Sequence, residues 1–228
     1  MKKALKLSSM TLAVMVFAAI APMSATADLI VNGSFEDGVS IPAGFVTVAG
    51  GDTTSITGWE VLGGGTAIDY IGSFWLASDG VRSLDLDGSP GPGGIQQTFG
   101  TEVGKAYKVD FDMAGNSARA PYVKWMQVAA LGAGPAPLNT KVFSFDSTAS
   151  TVNAMGWAPM EFAFIANSAS TTLRFSSMTP AAATDWEKYC GPALDNVVVT
   201  PVPGAILLGA MGLCSSGGVL AWRKRRTA

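Results

Sequence analysis

The chain has 228 residues, 48% hydrophobic and 14% charged, with 27 Gly, 12 Pro, two Cys and no His. The missing histidine excludes Ser-His-Asp and Cys-His nucleophile activation, His-ligated zinc and imidazole as a general base. Seven of the fifteen Lys and Arg sit at the two ends (Lys2, Lys3, Lys6, Arg223, Lys224, Arg225, Arg226). The middle is left with eight cations against seventeen acids, a net charge of −9, and so has no electrostatic footprint for nucleic acid.

Taken in chain order, residues 1–27 follow the export pattern. Three lysines precede an apolar run from Met10 to Pro22, and Ala25-Thr26-Ala27 is an A-x-A cleavage site before Asp28. The run is short and ends in Pro22, which favours a cleaved signal peptide over a membrane-spanning helix.

Residues 28–200 read as a chain of short strands. The clearest is AYKVDFDMAG, where Tyr107, Val109, Phe111 and Met113 share one face and Lys108, Asp110 and Asp112 the other. Similar segments lie at Leu29–Val31, Trp59–Leu62, Ala67–Ile71, Arg82–Leu86, Ile95–Phe99 and Tyr122–Ala129, then Lys141–Phe145, Met160–Phe164, Thr172–Ser176 and Leu194–Thr200. Turn clusters such as GSPGPGG and GAGPAP separate them, no window shows a helical stripe, and no internal repeat is present. Many short strands punctuated in this way predict an all-β sandwich.

The tail is a second apolar segment, Gly204 to Trp222, followed by a basic run at 223–226. Its 19 residues reach about 28 Å as a helix, just enough for a bilayer core, with the basic end cytoplasmic. Five glycines and Ser215-Ser216 make it a poor permanent anchor. Pro201-Val202-Pro203-Gly204, the Gly-rich stretch and the terminal cations together resemble a PEP-CTERM sorting tail, with Pro-Val-Pro in place of Pro-Glu-Pro. That resemblance implies recognition and removal by a membrane exosortase and a link to exopolysaccharide or biofilm matrix. Plain single-pass anchoring is the alternative.

The body opens LIVNGSFEDG, passes through IDYIG and ASDGVRSLDLDG, and closes YCGPALDNVVV. These words resemble the choice-of-anchor C family of bacterial exported proteins. They are also similar to a plant cell-wall family of unknown function with an Asn-Phe-Glu opening and a Cys-Gly-Pro-x-x-Asp close. Both resemblances imply a galactose-binding-like jelly roll, the fold of many carbohydrate-binding modules. They further imply that Glu36 and Asp195 hold a structural calcium ion. Two facing carboxylates need a cation or a proton between them, and oxygen ligands without His or thiolate select calcium. In the other reading Glu36 caps a loop and Asp195 bonds backbone at a strand end.

Asp85 and Asp87 alternate with Leu84 and Leu86 and share a face about 7 Å apart, as do Asp110 and Asp112. That spacing permits glycosidase chemistry, yet a solvent-facing row on a half-buried strand is the plainer expectation. Phe74-Trp75 in a Gly-Ser-flanked loop, and Trp186 with Tyr189 in TDWEKYC, are the candidate sugar-stacking platforms, with packing under a loop as the plainer role. Trp59, Trp125 and Trp157 sit in strand contexts and are expected in the core. Cys190 and Cys214 lie on opposite sides of the tail boundary and are not expected to pair, so Cys190 is read as a buried free thiol beside Pro192. Asn32-Gly33-Ser34 is read as part of the opening turn rather than a glycosylation site.

Two functions follow as expectations. The first is a non-catalytic exported sandwich that associates with polysaccharide, with Trp75, Asp85, Asp87, Trp186 and Tyr189 as its ligand residues. The second is a structural surface or matrix protein working through protein contacts. A carboxylate-based glycan-active enzyme stands behind both.

Overall fold

The computed structural model describes residues 28–178 and 189–203. The signal segment with Ala25 and Ala27, Trp186, and the tail from Gly204 onward lie outside the described residues. Among the described residues no helix is long and apolar enough to cross a membrane.

Among the described residues thirteen strands follow one another: β1 (Phe45–Ala49), β2 (Glu60–Val61), β3 (Ala67–Ile71), β4 (Ser83–Asp85), β5 (Asp87–Gly88), β6 (Gly91–Pro92), β7 (Gly94–Gly100), β8 (Ala106–Gly115), β9 (Val123–Leu131), β10 (Asn139–Asp146), β11 (Ala158–Ile165), β12 (Ser170–Ser177) and β13 (Pro192–Pro201). They form a six-stranded sheet ordered β1-β3-β4-β13-β8-β11 and a five-stranded sheet ordered β10-β9-β12-β7-β2, with β5-β6 as a separate ribbon. All pairings are antiparallel. The result is a β-sandwich, as the strand spacing predicts, and of the jelly-roll kind that the family resemblance implies.

The alternation read in β8 holds along its first eight residues: Tyr107, Val109, Phe111 and Met113 are buried, while Lys108, Asp110 and Asp112 are half-exposed. Phe111 sits centrally, meeting Phe143 and Phe175 edge-to-face at 5.2 Å each. Offset and edge-to-face ring pairs of this kind stabilise beyond the area they bury. Trp59 is buried here as expected, tilted against Phe35 at 5.3 Å. Trp125 is not: it is 40% exposed, because its parity on β9 puts it opposite Met126 and Val128. Trp157 is half-buried, its indole N–H donating to the Leu76 carbonyl.

The opening word is not a strand. Leu29–Val31 runs irregularly beside β13, held by Leu29 N–H to the Val199 carbonyl and by Val197 N–H to the Gly33 carbonyl. Gly33 is obligatory, since a Cβ there would lie 1.9 Å from the Val197 oxygen. Asn32 uses its whole amide to tie the turn, accepting from Asp37 N–H and donating to the Asp37 and Thr57 carbonyls. Asp28, expected at the cleavage boundary, accepts from the backbone of Ile30 and Val199. β1 was not expected from the sequence. It is an edge strand whose outward residues, Phe45 and Thr47, lack the polar alternation that marks β8.

Candidate functional site

On the core side of β1, β3 and β4 lie Val48, Ile68, Tyr70 and Leu84. The opposite parity therefore faces outward, and there cross-strand pairing sets Thr47 beside Asp69 and Asp69 beside Asp85. This outward face is not a solvated row. It is roofed by the loop after β3, the turn after β8 and the segment Tyr189–Cys190, leaving a hollow of about 590 Å³. Phe45, Phe74 and Tyr189 supply aromatic walls, while Asp69, Asp85, Ser89, Asn116 and Arg119 supply polar groups. Phe45 and Phe74 are 40% and 37% exposed and meet edge-to-face at 5.5 Å. Gly44 makes that meeting possible: its carbonyl accepts from Gly72 and Phe74, and its φ of 70° is a backbone state that favours glycine.

Trp75 does not form a platform. It is 4% exposed, packs with Ile71, Ala114, Met155 and Ala193, and donates its indole N–H to Ser83 at 2.8 Å. Its neighbour Phe74 presents the open ring instead. Tyr189 does line the hollow; Trp186 lies outside the described residues.

Asp85 and Asp87 are buried, not solvent-facing. A bend at Leu86 breaks the strand, and Asp85 turns its oxygens to three donors: Asn116 Nδ2 at 2.8 Å, Gly191 N–H at 2.9 Å and Asp87 N–H at 3.0 Å. Burial, and secondly the charge of Asp87, hold its pKa well above the usual carboxylate range. Both oxygens of Asp87 are buried, and burial pushes its pKa up to about 7, with the Ser177 side chain and the Lys124 charge pulling it back. Asp69 is raised too, again by burial, against the Thr47 hydroxyl that bonds it at 2.6 Å.

Lys124 enters this cluster from the other sheet. It is wholly buried and donates to the Arg119 and Cys190 carbonyls. Burial pushes the Cys190 thiol up to about 11, which disfavours the thiolate at neutral pH, and the side chain is buried as expected from the sequence. Gly191 is fixed by the same crowding, for a Cβ would fall 2.5 Å from the Asp87 carboxyl carbon. The Cys-Gly-Pro word is thus the seam that closes one side of the hollow.

Glu36 and Asp195 do converge, but on a loop rather than on a cation. Glu36 Oε1 accepts from Val81 and Arg82 N–H at 2.9 and 2.8 Å. Asp195 Oδ2 accepts from Ser78 and Asp79 N–H at 2.7 and 3.0 Å, and its Oδ1 from Asn196 N–H at 2.7 Å. Burial raises Asp195 to about 7 despite these donors. Calcium takes six to eight oxygens. Here Glu36 Oε1 and both Asp195 oxygens already accept backbone N–H groups, and among the described residues no group of three or more acidic, Cys or His side chains could hold a metal ion. The pair does not fit a calcium site; Glu36 caps a loop and Asp195 anchors backbone at a strand irregularity. Pro201, Val202 and Pro203 are the end of β13 and the two residues after it.

The sequence reading missed Phe45, Asp69, Asn116, Arg119 and Lys124. Two carried a signal: Asp69 stands alone in the apolar run AIDYI, and Lys124 shares parity with Met126 and Val128. A lone charge within an apolar run or at a core-parity position marks a buried polar cluster.

Fold and hollow define an antiparallel β-sandwich with an aromatic-walled polar recess on the outer face of its larger sheet. The chain belongs to the DUF642 family, described as proteins of unknown function, whose pattern matches residues 28–200. Halomucin of Haloquadratum walsbyi is 32% identical over 177 residues, covering 75% of this chain, and the chain spans about 2% of that protein's length. Among solved structures, a family 4 carbohydrate-binding module is 16% identical with a TM-score of 0.41, covering 76% of this chain and 99% of that one. A family 16 carbohydrate-binding module is 14% identical with a TM-score of 0.46 and covers 76% and 99%. An arabinose-bound family 51 arabinofuranosidase is 9% identical with a TM-score of 0.48, covering 77% of this chain and 26% of that one.

Proposed function

We propose that this protein is a non-catalytic, exported β-sandwich that associates with extracellular or envelope polysaccharide through the hollow beside β1 and β3. The observation that carries this reading is the pairing of two open rings, Phe45 and Phe74, with the nearly buried carboxylate of Asp69 in one recess. Sugar sites join an apolar surface for the ring face to a few convergent polar groups for the hydroxyls, in pockets of roughly 300–1,000 Å³. Export rests on the 1–27 leader. Surface sorting rests on the tail from Pro201, whose likeness to PEP-CTERM segments suggests an exosortase partner and transient membrane attachment. The choice-of-anchor C likeness of the body fits the same destination.

Catalysis by Asp85 and Asp87 is disfavoured in this reading. A general acid must reach substrate, whereas Asp85 spends both oxygens on protein donors and Asp87 has none exposed. A matrix protein working through protein contacts is the second reading, favoured by the exposed Leu76 and Val81, which line a separate hollow of about 660 Å³ with Ile41 and Arg82.

Glycan-array and affinity-electrophoresis measurements with the purified protein test the proposal. Binding to at least one polysaccharide is expected, weakened tenfold or more by Phe74→Ala with the thermal midpoint unchanged. Silence across the panel, the producer's own matrix included, overturns it.

A further inference from the structure

We infer that the protein self-associates through β1, the edge strand of its larger sheet, which pairs antiparallel with β1 of a second copy about a two-fold axis at Thr47. This goes beyond the polysaccharide reading and does not depend on it, although the partner copy flanks the same hollow.

Hydrogen-bond parity shows which way the edge points. The β1–β3 register is unbroken, and it is bounded by Gly72 N–H to the Gly44 carbonyl at 2.7 Å and Gly50 N–H to the Thr66 carbonyl at 2.8 Å. Antiparallel partners exchange backbone bonds at every second position, so the even-numbered residues of β1 bond to β3 and the odd ones turn their backbone groups outward. Thr47 and Asp69 are then a non-bonded pair, in which side chains stand closest, as their 2.6 Å side-chain bond shows. Two outward groups are spent locally, Phe45 N–H on the Ala43 carbonyl and the Ala49 carbonyl on Asp52 N–H. There remain the Phe45 carbonyl, both groups of Thr47 and Ala49 N–H, with no strand among the described residues beside them. This set is its own complement. Two copies centred on Thr47 exchange N–H and carbonyl there, and each Ala49 N–H meets the Phe45 carbonyl of the other copy.

The other edges are guarded, as natural sheets guard theirs. On β11 the Ala163 and Glu161 carbonyls accept from Asn139 Nδ2 at 2.7 Å and Lys141 Nζ at 3.1 Å, both reaching across from β10. β10 itself carries Lys141 and Asp146, and β2 bonds at Val61 to Gly51 and Asp52. β1 has no such guard. Residues 38–51 hold no charge, in a body whose net charge of −9 opposes close approach elsewhere. Directly opposed residues of paired strands share a face, so the 40%-exposed Phe45 packs over Ala49 of the other copy, twice by symmetry. The two hollows then open side by side on one continuous sheet face, because Phe45 and Thr47 line each of them. A contact built on one short strand belongs to the small, reversible class of interface.

Sedimentation of the purified protein at physiological salt, over concentrations up to the millimolar, tests this. A reversible monomer–dimer equilibrium is expected. Thr47 lies on the axis and faces its own copy, so Thr47→Lys and Thr47→Glu are each expected to weaken the dimer tenfold or more through like charges. An equimolar mixture of the two variants is expected to restore it. A second arm uses Thr47→Cys in a Cys214→Ser background. Bonded antiparallel partners have Cα atoms about 5.5 Å apart, within disulfide reach. Mild oxidation is therefore expected to give a covalent dimer, with none from Val103→Cys, an exposed site on the turn before β8. A monomer at every concentration overturns the inference, as does a dimer indifferent to both charges, or loss in the single variants without recovery on mixing. If the charged variants do not fold, the cysteine arm decides alone, and no covalent dimer overturns the inference. None of these results touches glycan binding, which the array measures separately.

Discussion

The two faces of the six-stranded sheet are built on different physics. The inner face is apolar at every second residue and takes its stability from area removed from water, with Tyr70, Leu84, Val109, Phe111 and Leu194 all buried. The outer face of the same strands, near β1, β3 and β4, is also buried but carries Asp69 and Asp85, with Asp87 just beyond the bend. There the chain satisfies polar groups one by one, through Thr47, Asn116 and the Gly191 backbone. A core of close-packed side chains tolerates no opening. A recess lined by such groups keeps polar atoms at its surface, as Asp69 and Asn116 show.

The largest expected effect breaks the inner face. Phe111→Ala removes a ring packed between Phe143 and Phe175, and a buried Phe→Ala change costs about 3–5 kcal/mol. Chemical denaturation should show that loss with little change in the denaturant slope. A loss below about 1 kcal/mol, the range of an exposed substitution, would mean that the sheets are not packed through this ring.

Much of the inner face was legible in the sequence, and the outer face was not, for one reason. Period two reports which residues share a side, but not whether that side is wet. AYKVDFDMAG gave its true faces because Lys108, Asp110 and Asp112 are half-exposed. The same logic assigned Asp85 and Asp87 to solvent, where a roof formed by residues distant in sequence, Asn116 and Cys190 among them, buries them. Trp75 and Trp125 exchanged expected places likewise, since a loop was folded over one and a strand face left open at the other. The opening and closing words were rightly read as neighbours, and Gly33, which lets the chain lie against Val197, explains why. What they grip, the loop at 78–82, is fixed by backbone N–H groups that no side-chain pattern announces.

A pH titration sharpens the contrast. Asp87 has a folded pKa of about 7 against an ordinary carboxylate value of 3.8, raised by burial. The folded state therefore binds its proton more tightly than the unfolded chain does. Its contribution to stability is fully present below about pH 4 and is lost as pH rises toward 7. Asp85, raised in the same direction, adds to the slope. Asp87→Asn, nearly isosteric with the protonated acid, should match the wild type near pH 4 and exceed it increasingly toward pH 7. If the thermal-midpoint difference stays flat, or if the wild type leads at neutral pH, Asp87 is acting as an ionised partner of Lys124 instead.

The smallest effect belongs to the loop roofing the outer face. Glu36 tethers it by accepting two backbone N–H groups, and Gly80 allows the approach, since a Cβ there would sit 2.4 Å from the Glu36 carboxyl carbon. Asp195 holds the other end, and Ser78 adds its hydroxyl to Asp112 at 2.7 Å. Cutting one tether of several in a half-exposed loop should cost only about 1 kcal/mol globally, near the net worth of an ordinary hydrogen bond. The local cost is larger, because opening between Glu36 and Asp195 need not unfold either sheet. In Glu36→Ala, amide exchange at Val81 and Arg82 should therefore accelerate tenfold or more, while Val109 and Phe111 in β8 exchange at nearly wild-type rates. Equal acceleration at all four amides would join the loop to the global unfolding unit and erase the distinction between the two faces.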